Sequence, residues 1–487
     1  MCSTNYLLLL LVILLPLLVD SRVLGNIKRQ AEPIEDERTA SYWLNQAQQQ
    51  LATRLERIHL ANGNGDTRMA KNIIMLMGDG MSITTMTAAR ILKGQQAGHS
   101  GEESQLAAEQ FPYTGLSKTY CTDSQTADSA CAATACLTGV KTNCGSIGQS
   151  AQGDSVESIV QWAQRAGKAT GIVTTTRLTD ASPAAAYAHV KKRTQELDIG
   201  RQLIEDAPGR HLDVILGGGL GKFASERTDG RDLLQQWRDA NPQGCFARTL
   251  AELRNCSIDP EAGRLLGIFS DSHMAYNLAA SQEQPRLCDM TAAAIEHLAA
   301  QQATNGFFVF IEGGRIDHGH HETRAGYALD EMLEFDAAIE TALRLTNVQD
   351  TLIVVTADHS HTLSMAGYAS RGTSILGVDQ SQRDLDGVPY STLNYAIGKW
   401  QSLNKAGKRE NPAPHLSRTS LTPSYIHAKG VHSGEDVAVF ARGPQSQLFS
   451  GVMEQNLLPH LMAYAACLGH GDTVCKHQQK EHTFAPL

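Results

Sequence analysis

Several things are missing from this chain, and each absence excludes something. Downstream of the first 19 residues, no stretch has the length and apolarity of a membrane helix. Positive charge is in deficit: 42 Lys and Arg against 51 Asp and Glu give a formal net charge of −9. No basic face for nucleic acid is expected, and an anionic ligand would need local positive charge from metal ions or a placed arginine. The polar C-terminus, "CKHQQKEHTFAPL", lacks the apolar tail of a lipid-anchor signal. Cys121, Cys131, Cys136 and Cys144 lack zinc-ribbon spacing, and the sequence assigns them no partners. "GGGLGK" (Gly217 to Lys222) lacks P-loop spacing and is followed by Phe223 where Ser or Thr is needed.

What is present begins with an apolar block from Tyr6 to Val19, followed by small and polar residues. Residues 1–25 therefore read as a secretory signal peptide, and the chain is expected to be secreted and extracellular without a lipid anchor. Of ten cysteines, Cys2 leaves with the leader, so at least one of the rest is unpaired within the chain. Cys467 with Cys475 and Cys245 with Cys256 are the expected disulfides, as suits an oxidising compartment. The one glycosylation sequon, Asn255-Cys256-Ser257, would be hindered by a disulfide at Cys256.

Short apolar runs alternate with segments of helical periodicity. "NIIMLM", "ATGIVTTT", "LDVILGGG", "FFVFIEGG", "TLIVVTAD" and "DVAVFARG" have the length and β-branched or aromatic content of buried strands, which predicts a layered α/β domain. Residues 26–70 read as an N-terminal extension ending in an exposed helix, which either covers a partner or packs on its own domain. Residues 365–429, rich in Gly, Ser, Pro and charge, read as an insertion on the sheet's rim between parts 71–364 and 430–487 of the main domain.

Three strands run into acidic residues: Asp79, Glu312, and Asp358 followed by His359. Ligands of open α/β sheets sit beyond the carboxyl ends of strands, so these carboxylates are expected on one face, where divalent cations would relieve their repulsion. In "EGGRIDHGHH", Asp317 and His321 are four apart and share a helix face, which suits zinc. His432 in "GVHSGED" is the expected third ligand. Asp358 and His359 form a second pair that Asp79 could bridge. Alternate residues of one helical turn cannot all point one way, so His318 and His320 are expected to support or face solvent, and His361 is not counted as a ligand.

"TADSACAATACLTG" puts Asp128 and Ser129 at the start of a helix, where partial positive charge and free N–H groups favour an alkoxide or a phosphate. Taken alone, such a serine is a helix cap. Beside metal ions its hydroxyl becomes a nucleophile candidate. Ser182, before Pro183, can present a hydroxyl to a metal, and Arg193 can fork onto two phosphate oxygens or simply be solvated in a basic run.

The motifs "GDGM", "TADSACAATA", "TTTRLTDASPAAAYAHVKKR", "EGGRIDHGHH", "TADHSH" and "HSGEDVAVFARGP", in this order, resemble the alkaline phosphatase family, especially its animal and insect members. The resemblance implies a three-layer α/β sandwich around a large, mostly parallel central sheet, with 365–429 as a crown-like insertion near a homodimer contact. It implies a metal-dependent phosphomonoesterase that takes phosphate monoesters and releases inorganic phosphate, with two zinc ions and one magnesium. Ser129 would be phosphorylated and then hydrolysed in two in-line displacements, and Arg193 would grip the phosphate. Asp317, His321 and His432 would hold one zinc; Asp79, Asp358 and His359 the other; Asp79, Ser182 and Glu312 the magnesium. Asp128, Asp180 and His318 would stand around these groups. Asp180 occupies a position where vertebrate members carry histidine and bacterial members aspartate, which implies altered magnesium affinity with the activity kept. Phe269-Ser270 and Gln284-Pro285 depart from the vertebrate calcium site, so calcium is not expected. The alternatives were a related metallohydrolase acting on diesters, pyrophosphate or sulfate, and a non-catalytic phosphate- or metal-binding protein.

Overall fold

The computed structural model describes residues 35–62, 66–257, 263–301, 305–383, 387, 389–396 and 430–469. The expected signal peptide, Cys475 and residues 397–429 of the insertion lie outside these residues.

Ten strands form one sheet: β1 (Asn72–Gly78), β2 (Tyr113–Lys118), β3 (Ala169–Arg177), β4 (Val214–Gly218), β5 (Cys245–Ala247), β6 (Leu265–Ile268), β7 (Phe307–Gly313), β8 (Thr351–Ala357), β9 (Val437–Arg442) and β10 (Gly451–Glu454). Their spatial order is β10-β2-β9-β8-β1-β7-β3-β4-β6-β5. Only β9 runs antiparallel to its neighbours, β8 and β2. All six strand-like runs read from the sequence lie in this sheet, which has the expected large, mostly parallel form.

The central strands are buried on both faces, so they are nearly continuous apolar runs. Successive side chains point to opposite layers. In β1, Ile73, Met75 and Met77 enter one core, with Phe308 and Phe310 of β7. Ile74 and Leu76 enter the other, with Phe307, Val309 and Ile311. Helices close each layer. Helices α1 (Ala40–Asn62), α3 (Ser129–Thr138) and α8 (Leu458–Ala465) lie on the first core. Helices α2 (Ile83–Gln96), α5 (Leu287–Ala300) and α7 (Ala325–Leu345) lie on the second.

Helix α1 is less exposed than its sequence suggested. Trp43, Ala47 and Leu51, spaced by four, are buried on its inner side. Arg54 donates to the carbonyl oxygens of Leu448, Ser450 and Val452. The helix is thus anchored to its own domain, and its outer faces remain in solvent. The described part of the insertion returns to its start, where Leu393–Tyr395 pairs antiparallel with Leu363–Met365. Cys245 and Cys256 are bonded as expected. Cys121 is bonded to Cys131, a pairing the sequence did not assign, and Cys467 is also disulfide-bonded.

Candidate active site

The carboxyl ends of β1, β3, β7 and β8 lie side by side in the sheet and bring their residues together at one edge. Asp79 follows β1, Glu312 is the penultimate residue of β7, and Asp358 and His359 follow β8. All four are at most 5% exposed. Gly80 adopts φ +66, and a Cβ there would stand 3.0 Å from Asp317 Oδ1. Glycine is required for this close passage, and the Gly80 N–H donates to Asp358 Oδ1 at 3.0 Å.

Helix α6 (Arg315–His321) carries Asp317 and His321 on one face, as the spacing predicted. Asp317 Oδ2 lies 3.3 Å from His321 Nε2, and Asp317 Oδ1 lies 3.4 Å from His432 Nε2. The two Nε2 atoms are 3.0 Å apart. Their other ring nitrogens fix the tautomers. His321 Nδ1–H donates to the Gly430 carbonyl at 2.9 Å, and His432 Nδ1–H donates to the Ala127 carbonyl at 2.8 Å. This leaves both Nε2 lone pairs aimed at each other and at a carboxylate, an arrangement that a cation satisfies.

His361, which the sequence reading did not count as a ligand, lies beside this group. It is fully buried, and its Nε2 is 3.3 Å from Asp317 Oδ1. Asp317, His321, His361 and His432 together form a group of ligand atoms close enough to surround one ion. His320 is a support, as expected: its Nε2 meets Thr85 Oγ1 at 2.9 Å, and its Nδ1 meets the Tyr395 hydroxyl at 3.0 Å. This ties the insertion to the site.

A second group comprises Asp79, Asp317 and His359. His359 Nε2 is 3.4 Å from Asp79 Oδ1 and 3.2 Å from Asp358 Oδ2. Ser129 Oγ lies 3.2 Å from the same nitrogen. Asp128 caps helix α3 by accepting from Cys131 N–H at 3.1 Å, so Ser129 is released from capping and stands in the first turn. The carboxylate of Asp128 also accepts from Arg193 at 3.3 Å, while Asp180 accepts from the other arm of that guanidinium at 3.0 Å.

Thr174 and Thr176, which the sequence reading missed, donate to Glu312 Oε2. Glu312 Oε1, Ser182 Oγ, Asp79 Oδ1 and Asp358 Oδ2 are buried without a hydrogen-bond partner among the described residues. Also missed was His273. Its ring packs edge-on against His318 with centroids 4.4 Å apart, and its Nδ1 is 3.7 Å from Asp180 Oδ2. It arrives on a loop as an isolated histidine, with no local pattern to mark it. His318 also meets Arg315 at 2.8 Å, which makes it a neighbour of the Asp180 cluster.

Charge is strained throughout the site. Burial, then Asp358, Asp317 and Glu312, pushes Asp79 well above the usual carboxylate range. Burial carries Glu312 to about 8 against the hydrogen bond from Thr174, and burial with Asp317 carries Asp358 to about 6. Asp317 goes the other way: burial is outweighed by hydrogen bonds from His361 and His432, which hold it well below its ordinary value. Buried carboxylates in this number call for cations.

Buried acids and bare imidazole nitrogens facing a helix-mounted serine and an arginine define a metal-using hydrolase of anionic substrates. Comparison supplies the family. The family model for alkaline phosphatase matches residues 70–468, and the chain belongs to that family. It is 42% identical to the tissue-nonspecific alkaline phosphatase of Gallus gallus, across 93% of this chain and 94% of that one. It is 39% identical to alkaline phosphatase 4 of Drosophila melanogaster, across 92% and 85% respectively. A solved mutant of TAB5 alkaline phosphatase with Mg bound superposes with TM-score 0.64 at 27% identity, covering 83% of this chain and all of that one. The chain is accordingly a phosphomonoesterase. Among the described residues no helix is long and apolar enough to cross a membrane.

Proposed function

We propose a secreted, homodimeric alkaline phosphatase that hydrolyses phosphate monoesters through a phosphoserine at Ser129, using two zinc ions and one magnesium. The contact between Ser129 Oγ and His359 Nε2 at 3.2 Å carries this reading, because it puts the hydroxyl beside the group expected to hold an ion.

The donor chemistry fits the metals. Asp317, His321 and His432, with His361 alongside, offer the mixed nitrogen and oxygen set that zinc prefers, and Asp79, Asp358 and His359 offer another. Asp79, Ser182 and Glu312 offer oxygens alone, which suits magnesium, and each has a buried oxygen without a hydrogen bond among the described residues. When bound, such cations neutralise the clustered acids and stabilise charge on the entering and leaving oxygens.

The chain's own groups do the rest. Arg193 is held by Asp128 and Asp180, and its guanidinium would grip two phosphoryl oxygens of the substrate. The free N–H groups of helix α3 favour negative charge at Ser129. Ser129 Oγ attacks phosphorus in line, the alcohol departs opposite, and water later displaces the serine. Because the transition state is loose, positioning and charge dominate, and the leaving group is weakly discriminated.

The test is a panel of kcat/KM values at alkaline pH for an aryl phosphate monoester, a bis-aryl diester and an aryl sulfate, with zinc and magnesium present. The monoester is expected to lead by orders of magnitude. A diester or sulfate in first place would overturn the reading.

A further inference from the structure

Three cysteines meet beside the nucleophile's helix. Cys121 lies early in the loop after β2 and is bonded to Cys131 in the first turn of helix α3. Cys144, exposed and free, has its Sγ only 3.4 Å from Cys121 Sγ. Two alternative disulfides thus share one sulfur. We propose that Cys121, Cys131 and Cys144 form a thiol–disulfide exchange site, in which Cys121 pairs alternately with Cys131 and with Cys144.

The step balances without an external oxidant. Cys144 loses its proton and its thiolate attacks Cys121 Sγ. The Cys121–Cys131 bond breaks, Cys131 leaves as thiolate, and it takes up a proton. One disulfide and one thiol exist before and after. A metal centre is the weaker use of this cluster: with two of its three sulfurs already bonded to each other, one thiol and the Asp128 carboxylate remain as donors. Burial, then the charges of Asp128 and Asp123, pushes the Cys144 thiol up to about 11, so exchange is slow near neutrality and gains thiolate tenfold per pH unit.

The swap relocates a covalent staple next to the catalytic groups. In one form it ties helix α3, two residues past Ser129, to the Cys121 loop. In the other it ties that loop to the turn at Cys144 and Gly145. Gly145 N–H donates to both oxygens of Asp128, at 3.0 and 3.1 Å, and Gly145 O accepts from Arg193 N–H at 2.7 Å.

Mapping the bonds tests this without reference to activity. Trypsin, cutting after Lys118 and Lys141, leaves Cys121 and Cys131 on one peptide and Cys144 on another. The full chain, prepared without reductant, is held at pH 9, quenched in acid, alkylated with N-ethylmaleimide and mapped without reduction. The expected result is a mixture. One species carries the label on Cys144. The other is a cross-link between the two peptides, with the label on Cys131. Cys144→Ser should remove the cross-linked species, and Cys131→Ser, supplied with oxidised glutathione as the two-electron oxidant, should form the Cys121–Cys144 cross-link alone. A wild-type map with full labelling of Cys144 and no cross-link would overturn the proposal, as would labelled Cys121 in folded Cys131→Ser after treatment with oxidised glutathione.

Discussion

Ser129 Oγ and His359 Nε2 stand 3.2 Å apart although 230 positions separate them in the chain. One comes from a helix start on the first layer, the other from the end of β8. Both are buried, and the same imidazole nitrogen lies 3.4 Å from Asp79 Oδ1 and 3.2 Å from Asp358 Oδ2. The rigid sheet and the docked helix hold this pair together, so its chemistry can be removed one atom at a time.

Ser129→Ala deletes the oxygen proposed to attack and little else. Its first-turn position needs no side-chain cap, since Asp128 supplies one. Turnover of an aryl phosphate is expected to fall by at least about a thousandfold, as for other nucleophile deletions. Acid-quenched protein incubated with labelled phosphate should lose covalent label entirely. Retention of full turnover would remove Ser129 from the reaction.

Metal removal should be visible apart from activity. His321 and His432 hold converging Nε2 lone pairs with Nδ1–H tied to backbone carbonyls. His321→Gln is expected to lower the zinc content per chain and cut activity at least about tenfold, and elemental analysis checks it. Chelation should abolish turnover in the unaltered chain, with recovery on adding zinc and magnesium together. Unchanged zinc content in the variant would refute the role of His321.

Much of this site was legible because each acid follows a strand whose apolar run is unmistakable: Asp79 after "NIIMLM" and Asp358 after "TLIVVTA". The helical spacing of Asp317 and His321 was equally direct. His361 was not legible, since its ligand-facing position depends on a short antiparallel pairing in which His361 sits opposite His432. Residues 71 positions apart give no local sign of that register. His273 is harder still: it reaches Asp180 only through the loop after β6, anchored where Met274 N–H donates to the Thr175 carbonyl at 3.1 Å. The Cys121–Cys131 bond likewise depends on where helix α3 begins. The buried side of α1 was open to reading, because Trp43, Ala47 and Leu51 already repeat at four.

Arg193 is held by two carboxylates at 3.3 and 3.0 Å. A lysine keeps the charge but loses the planar fork. Arg193→Lys should raise KM for the monoester and the inhibition constant for inorganic phosphate about tenfold or more, with a smaller change in kcat. Steady-state kinetics with phosphate as competitor checks this. Unchanged phosphate inhibition would remove the residue from the grip.

Trp43 anchors α1. It is fully buried, its Nε1–H donates to the Glu37 carbonyl at 2.7 Å, and its own carbonyl accepts from Asn456 at 3.3 Å. Trp43→Ala should cost about 3–5 kcal/mol by the usual penalty for a truncated buried aromatic. Limited proteolysis should then cut within residues 40–62 before the core. A helix as resistant as in the unaltered chain would show that the anchor lies elsewhere.

Stability should rise, not fall, as the medium becomes mildly alkaline. Lys141 is 1% exposed and donates to the carbonyls of Lys118 and Tyr120 at 3.1 and 3.0 Å. Lys168 donates to the carbonyls of Lys71 and Asn305, both at 2.7 Å. Burial lowers each from 10.5 to about 8, for Lys141 in spite of Glu454. Between these values the unfolded chain holds protons that the folded chain has released. Its unfolding free energy therefore climbs with pH, from a full penalty below about 8 to none near 10.5. Each lysine contributes at most about 3 kcal/mol to that climb. The thiols of Cys136, Cys144 and Cys288, each pushed up from 9.0 by burial, oppose the climb above about 9, and buried tyrosines such as Tyr395 oppose it at higher pH still. Urea unfolding at pH 7.5 and 9.5, with metals saturating, should show the rise in the unaltered chain and a smaller rise in Lys168→Met. An equal rise in both would mean that Lys168 keeps its ordinary affinity for protons in the folded state.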